Sequence, residues 1–357
     1  MLNLKRLIII LFIISGLFLS CLMEENINLP YKGYQPEQLN DGWEISTPEA
    51  EGFEQEEINE LFKNIYSEDL YPNLHSLLIV RNGKLVAEAY TKDKRERDMF
   101  HNIVSATKSI SSMLTGIAID KGLIESVNVP VYQIIPEYFD SDLRKRDITL
   151  HHVLTMETGL EFDNDDHTNE MFNYSGSSLE YVLHKNLIFL PGTDWYYGDG
   201  NPQLISGIIQ KVSGQTEAQF AVENLFRPLG ITTYQWEKHH DGLNYGAKGL
   251  WLLPRDMAKI GKLMAQDGLW NDEQILSSVW INESTKRQSF HQNYGYYWYP
   301  VEEPEAYYAE GHGGQLIWIL PGEQLVVVIT SDSYAKSYLL SSNYNNIFQA
   351  IRDAIID

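Results

Sequence analysis

The chain has 357 residues and a formal net charge of −22 at pH 7, with 43% hydrophobic and 12% aromatic residues. Such a composition describes a folded protein with ample core, and its acidity excludes nucleic acid and anionic lipid surfaces as partners recognised by charge. The sole cysteine, Cys21, leaves no disulfide within the chain and no thiolate metal site.

In chain order, Lys5 and Arg6 precede an apolar run from Leu7 to Leu19, which Ser20-Cys21 closes. A charged start, a short apolar core and a small residue before a cut predict an export signal over residues 1–21. Phe18-Leu19-Ser20-Cys21 resembles a bacterial lipobox, with Phe18 where leucine is usual. The resemblance implies a lipid on Cys21 that anchors the protein to a membrane of the cell envelope. An uncleaved anchor helix is the alternative, and either way the domain is exported. Residues 22–50 lack periodicity and read as a tether, leaving 51–357 as one domain.

Ala50 to Ile65 has helical spacing, and Leu77–Val80 and Lys84–Tyr90 flank Arg81-Asn82-Gly83, a strong hairpin signal. Next comes Ser105-Ala106-Thr107-Lys108. Behind it Ile110, Met113, Leu114, Ile117 and Ala118 share one helical face, and Lys121-Gly122 makes a helix stop. Ser105 then sits at a helix N-terminus with Lys108 one turn on, so hydroxyl and amine can meet. A serine hydroxyl needs a base, and a lysine held neutral by burial and the helix end can serve. Alone, the tetrad more readily describes a helix N-cap beside a solvated lysine. A second copy, Ser333-Tyr-Ala-Lys336, has no amphipathic helix behind it and reads as a loop.

Further on, Thr149–Met156, Pro202–Val212 and the proline-led Pro254–Met264 predict helices. Tyr294–Pro300 reads as an aromatic strand, Leu316–Leu320 and Leu325–Thr330 as a closing hairpin, and Asn345–Ile356 as a last helix. The fold class is therefore α+β. One antiparallel sheet is built from both chain ends (about 51–125 and 290–357), and a mostly helical lobe (about 126–289) is inserted.

Two more stretches fit the nucleophile. Tyr197-Gly198-Asp199 lies on a glycine-rich turn before a helix, and Glu310-Gly-His312-Gly313-Gly314-Gln315 precedes the closing hairpin. Glycines there admit close approach of backbone to substrate, and an edge-strand N–H could supply half of an oxyanion hole. Together with Ser105-x-x-Lys108, these motifs resemble the penicillin-recognising serine hydrolases over roughly residues 50–355. The likeness is to the branch related to class C β-lactamases, which includes esterases, D-amino-acid peptidases and 6-aminohexanoate-dimer hydrolase. Ile119-Asp-Lys-Gly-Leu-Ile124, Leu154-Thr-Met-Glu-Thr-Gly159 and Pro254-Arg-Asp-Met-Ala258 match as well.

The resemblance implies an α/β sandwich of the β-lactamase/transpeptidase type that needs no cofactor or metal. Ser105 would be the acyl-forming nucleophile, Lys108 its general base and Tyr197 the proton shuttle. The N–H groups of Ser105 and Gln315 would form the oxyanion hole, with Asp199, His312, Gly313 and Gly314 beside the substrate. Two residues depart from class C enzymes: Asp199 replaces asparagine, and His312-Gly313-Gly314 replaces Lys-Thr-Gly. The missing lysine would bind a substrate carboxylate, which a histidine mostly uncharged at neutral pH does less well.

The resulting expectation is an exported serine hydrolase for a small ester or amide. A D,D-peptidase or weak β-lactamase is the enzymatic alternative. A non-catalytic sensor or wall-binding module is the alternative of another class, and an intact Ser105, Lys108 and Tyr197 weighs against it. His151-His152 and His239-His240 read as surface or core residues, because adjacent side chains point apart. Asp163-Asn-Asp-Asp-His167 lacks the glycine and spacing of a calcium loop and reads as a solvated loop.

Overall fold

A computed structural model of the protein describes residues 28–67, 70–334 and 344–356. The expected export signal with Cys21, and Lys336 of the second tetrad, lie outside the described residues. The central sheet has six strands: β1 (Leu74–Arg81), β2 (Lys84–Tyr90), β3 (Tyr299–Val301), β4 (Ala306–Gly311), β5 (Gln315–Leu320) and β6 (Leu325–Ser331). Their spatial order is β2-β1-β6-β5-β4-β3, with every neighbouring pair antiparallel. The two chain ends meet where β1 pairs with β6, Leu77 opposite Ile329 and Ile79 opposite Val327. In the first hairpin Asn82 and Gly83 carry φ values of 51° and 77°, a turn whose twist matches that of the strands it joins.

The helices used below are α1 (Gln55–Ile65), α2 (Thr107–Asp120), α3 (Asn164–Asn173), α4 (Gly200–Ser213), α5 (Glu217–Ala221), α6 (Pro254–Ala265) and α7 (Asn345–Asp353). Alternation along the strands sorts the core into two layers. Leu77, Ile79, Leu316, Trp318, Val327 and Ile329 face one way, onto Leu61 and Phe62 of α1 and Ile347 and Phe348 of α7. Leu78, Val80, Ile317, Ile319, Val326 and Val328 face the other, onto Ile260, Leu263 and Met264 of α6 and the helical lobe behind it. Each such side chain contributes about 1.5–3 kcal/mol by leaving water. Gly261 lets α6 lie directly on the sheet, since a Cβ there would strike Val326.

Four expectations change. Helix α2 is not half-buried: every residue from Thr107 to Ala118 is buried, Ser109, Ser111, Ser112 and Thr115 included. Spacing marks one apolar face but cannot show that small hydroxylated residues on the others are covered too. Residues 28–50, assigned to a tether, pack onto the domain: Tyr34 and Trp43 are core residues, and Trp43 donates its indole N–H to the Arg255 carbonyl at 3.3 Å. Of the aromatic run only its end is strand, because Tyr297, with φ 62°, breaks the extension and Tyr294–Trp298 instead fill the core between the lobes. Asp163 caps α3 by accepting from the Asp165 N–H, so the acidic cluster starts a helix rather than a loop.

Candidate active site

A short ladder pairs His101-Asn102 with Leu252-Trp251 and delivers the chain to the nucleophile. Ile103 donates its N–H to the Leu250 carbonyl at 3.0 Å, and Asn102 Oδ1 accepts from the Val104 N–H at 2.9 Å. Val104 then has φ 46°, a costly conformation for a β-branched residue. One 3₁₀ turn over Val104–Ala106 leads into α2, so Ser105 stands just ahead of the helix and Lys108 within its first turn.

Lys108 Nζ lies 3.0 Å from Ser105 Oγ, 3.0 Å from the Ala247 carbonyl oxygen and 2.8 Å from Asp199 Oδ1, and the side chain is buried. Three acceptors are what one ammonium can serve. The Tyr197 ring centroid is 5.0 Å from the same Nζ, and its hydroxyl is within hydrogen-bonding reach of Ser105 and Tyr299. Burial holds the Tyr197 phenol well above its ordinary pKa, with Asp199 and Glu310 adding to the shift against those two hydrogen bonds. At neutral pH it is a phenol, a proton donor.

The neighbours explain the local geometry. Asp199 is at the head of α4, its N–H bonded to Asn164 Oδ1 at 2.8 Å and its second oxygen to Thr168 Oγ1 at 3.0 Å. Gly198 and Gly200 flank it because a Cβ at either would press on Phe162. The Ala247 carbonyl is aimed by a clamped loop: Ser111 Oγ donates to the Gly246 carbonyl at 3.1 Å, and the Gly246 N–H donates to Gln203 Oε1 at 3.2 Å.

The sequence-predicted residues divide accordingly. Ser105, Lys108, Tyr197 and Asp199 converge, and Asp199 accepts from both Lys108 and Thr168. Gln315 lies one strand further in. Its side-chain amide donates to the Ser331 carbonyl at 2.7 Å, and its partner across the ladder is Gly311. The ends of β4 and β5 both lie against the nucleophile turn, and a Cβ on Gly311 would collide with the Ile103 carbonyl oxygen and crowd the Gln315 Cβ. His312 is exposed, and Gly313 and Gly314, with φ 80° and 91°, form the turn from β4 to β5. Sequence reasoning missed the Ala247 carbonyl, Thr168, Tyr299 and Glu310. Tyr299 carried a signal within the aromatic run, and Glu310 one at the head of the glycine-rich stretch.

The histidine pairs take structural parts. His151 Nδ1 is 2.9 Å from the Tyr296 hydroxyl, His152 completes a helix cap with Thr149, and His239 lies on the Tyr245 ring at 4.0 Å between centroids. No group of three or more ligating side chains that could hold a metal forms among the described residues.

A family model described as Beta-lactamase matches residues 75–338, the span that holds the whole of this constellation. The chain belongs to the beta-lactamase family. Among curated relatives, the 6-aminohexanoate-dimer hydrolase of Paenarthrobacter ureafaciens is 22% identical over 231 residues, 58% of this chain and 55% of that protein. The chain spans about half the length of the curated relatives it matches. Among solved structures, a family VIII carboxylesterase superposes with a TM-score of 0.68 at 15% identity, covering 84% of this chain and 97% of that one. A class C beta-lactamase gives 0.64 at 13% identity, covering 85% and 96%. At such identities the likeness is one of fold, and this beta-lactamase-family chain shares the sheet flanked by helices of those hydrolases.

Proposed function

We propose that the protein is a serine hydrolase that cleaves a small ester or amide through an acyl-enzyme. The observation that carries this reading is the 3.0 Å contact between Ser105 Oγ and a buried Lys108 Nζ, with the Tyr197 hydroxyl also within hydrogen-bonding reach of the serine. Lys108 first cedes a proton to Asp199 at 2.8 Å, and the amine so freed takes the Ser105 proton as Oγ attacks the carbonyl carbon. Tyr197 protonates the leaving alcohol or amine and regains a proton from the Lys108–Asp199 pair. Water then attacks the acyl carbon, its proton passing to that pair, and Ser105 Oγ leaves with a proton as the acid is freed. The N–H groups of Ser105 and Gln315 would receive the oxyanion, as the family resemblance implies.

Esters and amides without a carboxylate suit this site better than the anionic substrates of a D,D-peptidase or β-lactamase. No lysine stands where class C enzymes have one, and Glu310 projects its charge onto Tyr197. The test is fluorophosphonate labelling of Ser105, followed by kcat/KM for short-chain p-nitrophenyl esters against nitrocefin. Nitrocefin turnover above that of every ester and amide would overturn the preference.

We further propose that the chain is exported and lipid-anchored at Cys21, on the strength of the charged start, apolar run and Ser20-Cys21. Among the described residues no helix is long and apolar enough to cross a membrane. Replacement Cys21→Ser should abolish lipid labelling and release the protein from membranes. Unchanged fractionation would speak for an anchor helix.

A further inference from the structure

The start of the described chain lies where β1 begins and β2 ends. The Leu29 N–H donates to the Thr91 carbonyl at 2.6 Å, and the Thr91 N–H to the His75 carbonyl at 2.8 Å. Next across the sheet, the Asp332 N–H donates to the Asn73 carbonyl at 3.0 Å, and a Cβ on Gly313 would meet the Asp332 carbonyl oxygen. Gly313 turns β4 into β5, whose ends lie against the nucleophile turn. Asn28 and Ser105 therefore stand at the same end of the sheet, with four strand spacings, about 19 Å, between β2 and β4.

The two ends of the sheet differ in character. At the Ser105 end, Leu70, Met99 and Tyr334 are 58%, 50% and 77% exposed. Residues 92–98 there set Lys92, Lys94, Arg95 and Arg97 against Asp93, Glu96 and Asp98, in a chain of net charge −22. The turns at the far end, 82–83, 302–305 and 321–324, carry Glu302, Glu303, Glu305 and Glu323. None of the exposed large apolar side chains among the described residues lies in those turns. A bilayer surface admits apolar side chains and cations, and its anionic headgroups repel carboxylates.

Six residues separate Cys21 from Asn28, so a lipid on Cys21 holds Asn28 within about 25 Å of the bilayer surface. Strand β2, seven residues long, measures about 23 Å. Bringing the far end down would take nearly the whole reach of that link, whereas the Ser105 end needs little of it. We infer that the domain rests on the bilayer by its Ser105 end, through Leu70, Met99, Tyr334 and the cations of residues 92–97, with the nucleophile on the membrane side. This rests on the lipid-anchor reading and adds the face that meets the membrane.

The test uses the full chain, lipidated at Cys21 and reconstituted in phosphatidylcholine vesicles that contain a lipid with a nitroxide on its headgroup. With the Cys21 sulfur occupied, a cysteine introduced by Leu70→Cys, Met99→Cys, Glu302→Cys or Glu323→Cys is the only free thiol and takes one fluorophore. The nitroxide quenches a fluorophore that approaches the surface. Probes at 70 and 99 should lose most of their emission, and probes at 302 and 323 should keep theirs. Equal quenching at the two ends, stronger quenching at the far end, or none at either would overturn the docking face while the anchor stands. A mass spectrum of the intact chain showing no lipid on Cys21 would instead strike at the anchor, and the docking face would fall with it.

Discussion

Ser105, Lys108, Tyr197 and Asp199 form one proton-handling unit, and their variants should reflect that. Removing the nucleophile in Ser105→Ala should lower kcat by roughly 10⁴-fold or more in a protein that still folds. Labelling of that variant by an acylating probe would show that another residue reacts. Lys108→Ala combined with Tyr197→Phe should be scarcely worse than the poorer single variant, because each is useless without the other. Multiplying losses in kcat would mean two independent carriers. Asp199→Asn keeps the shape but takes the carboxylate from Lys108, and kcat should drop by roughly 10²-fold.

A different carboxyl, Glu217 at the start of α5, is fully buried and faces Ser111 of α2 and Ser206 of α4. Neither of its oxygens has a hydrogen bond of good geometry among the described residues, and Ser111 donates to Gly246 instead. Burial pushes its pKa up to about 7, against hydrogen-bonding help from the two serines. A raised acid pKa means the folded state holds a proton that the unfolded state has released. Stability therefore falls as pH climbs from the unfolded value of 4.5 to about 7, by about 3 kcal/mol in all. Glu217→Gln should be the more stable protein at pH 8 and nearly equal to the parent at pH 4.5, as urea titrations would read. A difference that does not vary with pH would refute the assignment.

Among elements, the decisive one is the loop that aims the Ala247 carbonyl at Lys108. Gly246 sits so close to the Pro202 carbonyl that an added Cβ would collide with backbone. Gly246→Ala should therefore push the loop off α4 and away from Lys108. The expected cost is about 1–3 kcal/mol of stability together with a fall in kcat. A variant with unchanged melting temperature and unchanged kcat would show the clamp to be dispensable. Helix α2 depends on the same packing, since its small hydroxylated residues fit where larger ones could not. Gly116, mid-helix, faces the Trp280 ring directly.

For the whole molecule, Arg255 joins parts far apart in sequence. It is buried, donating to both Glu88 oxygens at 2.8 and 2.6 Å, to Asp41 at 2.7 Å and to the Glu37 carbonyl at 2.8 Å. Helix α6, strand β2 and the segment before α1 are thus held at one point. Arg255→Ala leaves Glu88 buried without its cation and should cost about 3–5 kcal/mol. A loss under about 1 kcal/mol in chemical denaturation would show that residues 37–43 are held by Trp43 and its apolar neighbours alone.

Local chemistry was enough for much of this. The Asn82-Gly83 turn, the proline that opens α6, Gly122 after α2 and the alternating strands at the two ends are fixed by backbone preferences and short-range patterns, which the sequence displays directly. The Ser105–Lys108 pairing was legible for the same reason, being one helical turn. Contacts between residues far apart in the chain were not. That Asp199 would face Lys108, that the end of β4 would lie against the nucleophile turn, and that Tyr34 and Trp43 would be core depended on how α2, α4 and the sheet pack. Chain spacing carries no record of such distances, because burial and pairing there are decided by surfaces that meet only once the two lobes close on α2.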